Sequence, residues 1–517
     1  MVNLTEEERE RARQEQEWAK EEKLRAAEQR KLEAEKAARR AAARRSVSKV
    51  ASEGARAARN AAGSASSASK KLLRRSRGGA PKAAAAFSRA AAAADRFFAA
   101  VWRALTGFAA KAYAAPLFIL AVMAAYAGIA RLCGFSLFRL VATPPTYQFY
   151  VCDYSVGYCS RLFVGAVISL FTDKVSIDLM NRIINVSVVL SLVGQAVIAG
   201  LLLRTGLKNR SLPAAAIGLL MMTNPLAVVE NMSAPGLLDV YLLLLFLVWL
   251  AFLKTPLAAV VTPVFCLVGM AIHYEFLFSF LPPMLCLLLY DAFNAKKKRV
   301  RIGRWLAFTG GSTVSAASFF YFVFLAKDHL RLTSEAFYRH MLSRFSLSAS
   351  ERDFLTFVMG GPLYRDYFDY YIFGEYKGYD YFNNINDFFV FLKNWTSGRF
   401  NAGMLRKDLI LFLPVLLVTA VIWIRCAKRE KGIRRLPYVC FIGQSLVLIP
   451  ELIISTDIWR WVSAALLAQF FVFAVVYLDK DAPLHRTADN TKVKPAVGGV
   501  FAVCTAAYVI YGLSLVN

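Results

Sequence analysis

The sequence predicts an all-α polytopic membrane protein. It should have about eleven transmembrane helices, a long basic N-terminal cytoplasmic arm and a large extracytoplasmic loop. Three observations lead there. Of 517 residues, 57% are hydrophobic and only 19% charged, with a mean hydropathy of +0.43. Apolar runs of roughly 17–25 residues recur after residue 112, each long enough to cross a hydrocarbon layer of about 30 Å as a helix. Lys and Arg collect in alternate loops between those runs, as cytoplasmic loops do. The same composition excludes an ordinary soluble enzyme, a disordered regulator and a collagen-like chain.

The arm comes first, as residues 1–110. Residues 1–100 hold 24 Lys/Arg and 13 Asp/Glu, a net +11 of the chain's +27. Residues 4–45 are rich in Ala, Glu, Lys and Arg. A Thr5–Glu8 capping box and i,i+4 pairs such as Glu21–Arg25 favour helix there. From Lys36 to Lys82 there are 14 basic residues and one acid, Glu53, a stretch expected to be disordered in isolation. The arm ends in an amphipathic segment, 87–108, with Phe97, Phe98, Val101, Trp102 and Leu105 on one face. An anionic lipid surface is the expected partner, each basic residue contributing about 1 kcal/mol near it. Nucleic acid is the less favoured partner.

The membrane domain is residues 111–517, with expected spans at 114–138, 181–203, 211–228, 237–253, 256–272, 276–293, 305–326, 409–425, 437–455, 461–478 and 495–515. With the arm in the cytoplasm, the loops after the even-numbered spans should be basic. They carry Arg204, Lys208 and Arg210, then Lys254, the run 296–304, the run 425–435, and Lys480, Arg486, Lys492 and Lys494. One missed helix would reverse every later loop, so the agreement fixes the parity. The chain is then a multi-pass cell-membrane protein whose C-terminus is extracytoplasmic. Two long loops remain outside, 139–180 and 327–408. In the first, Pro144–Pro145 break the chain and 161–171 reads as a short interfacial helix. The second is too aromatic for disorder and should fold as a cap.

Ionisable residues gather at the outer ends of the expected helices. Asp153 and Arg161 follow the first span, Glu230 and Asp239 flank a hairpin, His273 and Glu275 occupy the turn in GMAIHYEFLF, and Asp457 and Arg460 lie in STDIWRW. Ionisable groups at membrane depth often mark a pathway or active site, although acids also remain in outer loops simply because Lys and Arg are excluded there. His273 beside Glu275 suits either a helix-end hydrogen bond or an acid–base pair. The eight cysteines are scattered, with no paired C-x-x-C spacing. No metal ligands are therefore assigned, and the cofactor stays unknown: a divalent metal is compatible with the sequence but announced by no ligand motif. Cys152 and Cys159 are spaced for a local disulfide if their loop meets an oxidising compartment.

With its multiple spans, the acid in YVCDYSVGYCSR, the short interfacial helix after it and the later large outer loop, the region 114–480 resembles the GT-C class of integral-membrane glycosyltransferases. HYEFLF and DIWRW are similar to patterns in such proteins. The paired acid common in that class is absent, because Tyr154 follows Asp153. The resemblance implies transfer of a sugar from a polyprenyl-phosphate-type donor to an acceptor at the outer leaflet, in cell-envelope glycan assembly. It implies Asp153, His273 and Glu275 as catalytic residues, and Arg161, Asp457, Arg460, Glu230 and Asp239 as substrate-binding ones. The partners would be membrane lipid and a polyprenyl-linked sugar, with the oligomeric state unknown. A transporter or lipid-linked glycan flippase is the alternative, with Pro282–Pro283, Gly310–Gly311 and Pro450 as helix breakers, and a non-catalytic membrane assembly protein is a third.

Overall fold

The computed structural model describes residues 96–142, 146–223, 232, 235–322, 340–346, 416–447 and 458–489, a few positions inside these ranges apart. The chain divides into two compact units, Met1–Ala93 and Ala94–Asn517, and all the described residues belong to the second. Most of the expected arm, most of the loop 327–408 and the final expected span therefore lie outside them. The described residues form helices and turns, joined at one place by an isolated parallel bridge between Val175 and Phe345.

The first long helix, α1 (Ala114–Leu132), stops six residues before the apolar run does. Phe135 N–H donates to the Ala130 carbonyl at 2.9 Å and Gly134 N–H to that of Arg131 at 3.1 Å, with Gly134 at φ +79°. This is a Schellman ending, and it turns the chain back before the hydrophobic stretch is used up. After the short α2 (Gln148–Val151), a helix forms within the expected stretch 161–171 as α3 (Phe163–Ser169).

The next helix, α4 (Ile177–Lys208), overruns its expected bounds at both ends. Ser176 caps it by accepting Leu179 N–H at 3.1 Å, Asp178 lies in its first turn and Lys208 in its last. Cap and charges both suit the helix dipole. Its 32 residues span about 48 Å at 1.5 Å each. Glycines let its neighbours approach backbone to backbone: a Cβ on Gly200 would lie 2.8 Å from Ile119 Cα of α1, and one on Gly206 2.5 Å from Ala215 N of α5 (Leu212–Thr223). Small residues at helix crossings are how helices pack when lipid supplies no hydrophobic drive.

Two shorter apolar helices follow, α6 (Asp239–Phe252) and α7 (Ala258–Ile272), bonded by Trp249 Nε1 donating to Thr262 Oγ1 at 3.0 Å. Their 14 and 15 residues reach only about 21–23 Å. The apolar runs that predict them, 237–253 and 256–272, include turn residues such as Leu253 and Leu257, so hydrophobic length exceeds helical length. Then come α8 (Phe276–Ser279), α9 (Leu281–Asn294) and α10 (Lys298–Phe320), the last packed on α7 where Gly310 meets Pro263 and Gly311 meets Thr262. Among the described residues three helices are long and apolar enough to cross a membrane, Ala114–Leu132, Ile177–Lys208 and the nearly continuous Phe276–Asn294, accompanied by shorter apolar ones.

The C-terminal part holds a helical segment at 419–429, then α11 (Leu436–Gly443), α12 (Ile458–Leu478) and α13 (Ala482–Ala488). From Phe470 to Tyr477 nearly every side chain of α12 is buried, whichever way it points. A helix apolar and buried all round belongs at the centre of a bundle. Near the start of the unit, Trp102 packs with Ala109, Phe118 and Leu207, while Val101 and Leu105 of the expected amphipathic face are exposed.

Contacts sort the helix ends into two sets. At one end, Arg204 reaches the Lys111 carbonyl, Asn209 bonds Tyr477, and Lys254 bonds Asp291 and Asp479. At the other, Tyr126 bonds the Met221 carbonyl, Tyr150 bonds that of Gly236, and Phe278 meets Phe319. This is the up-and-down order of an antiparallel bundle.

Candidate functional site

The first loop builds the end of the bundle where the sequence places its ionisable residues. Tyr150 donates to Gly236 O at 3.1 Å and accepts from Tyr241 at 3.1 Å, which fixes α2 to the turn before α6. Behind it α3 lies directly on the loop: a Cβ on Gly165 would sit 1.9 Å from the Cys152 carbonyl oxygen, so only glycine permits that approach. Cys152 itself is buried, and Cys159 lies outside the described residues.

Asp153 follows, 8% exposed. One carboxylate oxygen accepts Ser155 N–H at 2.9 Å, and the other is paired with the Arg344 guanidinium. His340 Nε2 stands 3.8 Å from Asp153 Oδ1 and 3.3 Å from Ser155 Oγ. Carboxylate and hydroxyl both face the same imidazole nitrogen, so the three do not form a nucleophilic triad, in which they would take opposite nitrogens. Burial lowers the pKa of His340 from its ordinary 6.5, which keeps the ring neutral at neutral pH. Arg344 also donates to Thr172 O at 3.3 Å. Its segment is held by backbone bonds, Val175 N to Arg344 O at 2.8 Å and Ser346 N to Val175 O at 2.9 Å, and Lys174 donates to the Ser343 carbonyl.

Arg161 goes elsewhere. It has φ +77°, its N–H donates to Ala271 O at 2.9 Å, and its guanidinium donates to Tyr274 Oη at 2.9 Å while lying 5.2 Å from that ring's centroid. Ser160 Oγ donates to Met270 O at 2.9 Å. The loop is thereby stitched to the turn after α7. In that turn His273 Nδ1 accepts Glu275 N–H at 3.0 Å and stands 3.9 Å from Glu275 Oε2, with both side chains buried. An Nδ1 that accepts leaves the ring proton on Nε2, and the contact gives the turn its helix-end hydrogen bond.

The expected single cluster is thus two groups. Arg161 joins the His273–Glu275 turn, and Asp153 joins 340–346. Asp239 sits in the first turn of α6, beside Tyr241. Glu230 and Asp457 lie outside the described residues, as does the side chain of Arg460, whose backbone is in α12. Among the described residues no group of three His, Cys, Asp or Glu is placed to hold a metal ion. Sequence reasoning missed His340, Arg344 and Ser155. The only signal for Arg344 was a cation inside a loop expected to be outside, against the usual charge bias.

Fold and site together describe an all-α protein with helices long enough to cross a membrane and an acid–imidazole–guanidinium cluster at one end of them. Compared with known proteins, the chain matches no family model, no curated protein and no solved structure.

Proposed function

We propose that the protein is a multi-pass membrane glycosyltransferase acting at the outer leaflet, moving a sugar from a polyprenyl-phosphate-type donor to an acceptor hydroxyl. In this reading eleven spans alternate from a cytoplasmic arm to an extracytoplasmic C-terminus, and the Asp153 end of the bundle faces outward. The observation that carries it is the cluster itself: a carboxylate, a neutral imidazole and a guanidinium gathered at one end of the helices. The acceptor oxygen forms its bond to the sugar's anomeric carbon as the bond to the phosphate oxygen breaks, with the electron pair leaving on phosphate. The acceptor proton passes to Asp153, with the His340 imidazole beside it. Arg344 is committed to Asp153 at rest, and a phosphate that draws it away frees the carboxylate, while Arg161 supplies a second cation. Arg460, at the start of α12, is a further phosphate ligand in this scheme.

Asp153→Asn keeps size and hydrogen bonding but removes basicity. Purified variants are compared on a panel of polyprenyl-phosphate sugars. Transfer per folded molecule should fall by about 10²–10⁴-fold, a loss read separately from any destabilisation caused by uncharging the partner of Arg344. Full activity in Asp153→Asn would eliminate the proposed base and leave the cluster as a clasp between the first loop and 340–346.

A further inference from the structure

The Schellman turn that ends α1 does more than stop the helix. Beyond it, Phe135, Ser136 and Arg139 border, with Ala127 and Arg131 of the helix, an open notch of about 280 Å³. Two arginines eight residues apart therefore share one small concavity. Both are exposed, and neither guanidinium has a hydrogen-bond or ion-pair partner among the described residues. From Arg96 to Cys152 the chain contains no Asp or Glu, so no nearby acid in sequence is available to neutralise them.

Bringing two cations together without a counter-charge is unfavourable, which makes the notch complementary to an anion. Guanidinium forks and a serine hydroxyl are the donors that suit phosphate oxygens. The surroundings say which kind of phosphate. Leu132 is 66% exposed, Phe138 71% and Val141 61%, at the end of a helix long and apolar enough to cross a membrane. Phe138 also holds φ +68°, a left-handed conformation that a bulky side chain adopts only under constraint. A cationic notch whose exposed neighbours in sequence are large and apolar matches a phosphate that carries acyl chains.

We propose that this notch binds the phosphate headgroup of an anionic membrane phospholipid, with Arg131 and Arg139 as the phosphate ligands and Leu132, Phe138 and Val141 against its chains. The site uses none of the residues placed in sugar transfer, so either proposal fails without the other.

The test uses the full chain purified in detergent, with phosphatidylglycerol binding read by native mass spectrometry. The wild type should retain phosphatidylglycerol over phosphatidylcholine. Arg131→Gln/Arg139→Gln should bind it about tenfold more weakly or worse. Arg131→Lys/Arg139→Lys should lose less, since charge remains while the fork geometry goes, and Arg96→Gln/Arg103→Gln should match the wild type. If the double Gln variant melts early in phosphatidylcholine nanodiscs, Arg139→Gln alone, beyond the helix end, should still weaken binding about threefold. Undiminished phosphatidylglycerol binding in the folded variants overturns the site. Inorganic phosphate displacing the lipid as well as unlabelled phosphatidylglycerol does at equal concentration also overturns it, because the notch would then hold a free anion only.

Discussion

At the scale of the residue, the imidazole that stands beside Asp153 is His340, whereas the expected His273 lies in the turn after α7. Nδ1 of His273 is occupied in capping its own turn, whereas His340 faces Ser155 Oγ at 3.3 Å and Asp153 Oδ1 at 3.8 Å. Burial lowers the His340 pKa from 6.5, so between the folded value and 6.5 the unfolded chain holds a proton that the folded chain does not. The stability associated with the neutral ring is thus fully present above about 6.5 and lost as the pH falls towards the folded value. Asp153, the acid facing the ring, opposes this loss but is itself paired with Arg344. Thermal melting followed from pH 8 to 5 should show stability declining below about pH 6.5, with a shallower slope in His340→Gln. Identical slopes in the two proteins would assign the pH dependence to other groups.

At the scale of the element, the cations that mark topology in the sequence also tie helices together. Arg304 of α10 is 3% exposed, paired through Nε with Asp291 of α9 and donating to Thr255 O at 2.9 Å. Lys254 bonds Asp291 at 2.7 Å and Asp479 at 2.9 Å, but its side chain is 44% exposed. The two cations should therefore differ in weight. Asp291→Ala strands a buried guanidinium and should destabilise by about 3–5 kcal/mol. Lys254→Ala removes a solvent-screened partner and should change stability by less than about 1 kcal/mol. Denaturation of both variants in the same detergent decides it, and equal losses would mean that Arg304 finds another counter-charge. Further along, Asp481 caps α13 through Leu484 N–H at 2.7 Å and accepts from Tyr290 and Tyr438, so one carboxylate fastens α9, α11 and α13.

At the scale of the whole molecule, the parity of the helices carries the proposed topology. The basic run 296–304 and Lys254 share one end of the bundle, and Asp153 with 340–346 lies at the other. In a chain with its native cysteines replaced, a membrane-impermeant thiol reagent applied from outside should label a reporter near Gly378 and not one near Lys297. The reverse pattern would place the Asp153 cluster in the cytoplasm and end the outer-leaflet reading.

Hydropathy by itself determined that the chain is helical, with helices apolar enough to cross a membrane, and roughly where several of the described helices lie. Those properties follow from composition and from the 1.5 Å rise of a helix, both local in the chain. The Asp153 loop and the helix at 163–169 were legible for the same reason, since a proline break and an apolar run are local signals. Only the tertiary structure decided that Asp153 meets Arg344, 191 residues away, or that Arg131 and Arg139 share a notch. It alone separates α12, buried on nearly every face, from α1 and α4, which expose Leu120, Val186 and Leu190. Lipid and protein interior are equally apolar, so a leucine facing either one reads alike in sequence. Ion pairs between distant segments leave no periodic trace, and packing is what brings them within reach.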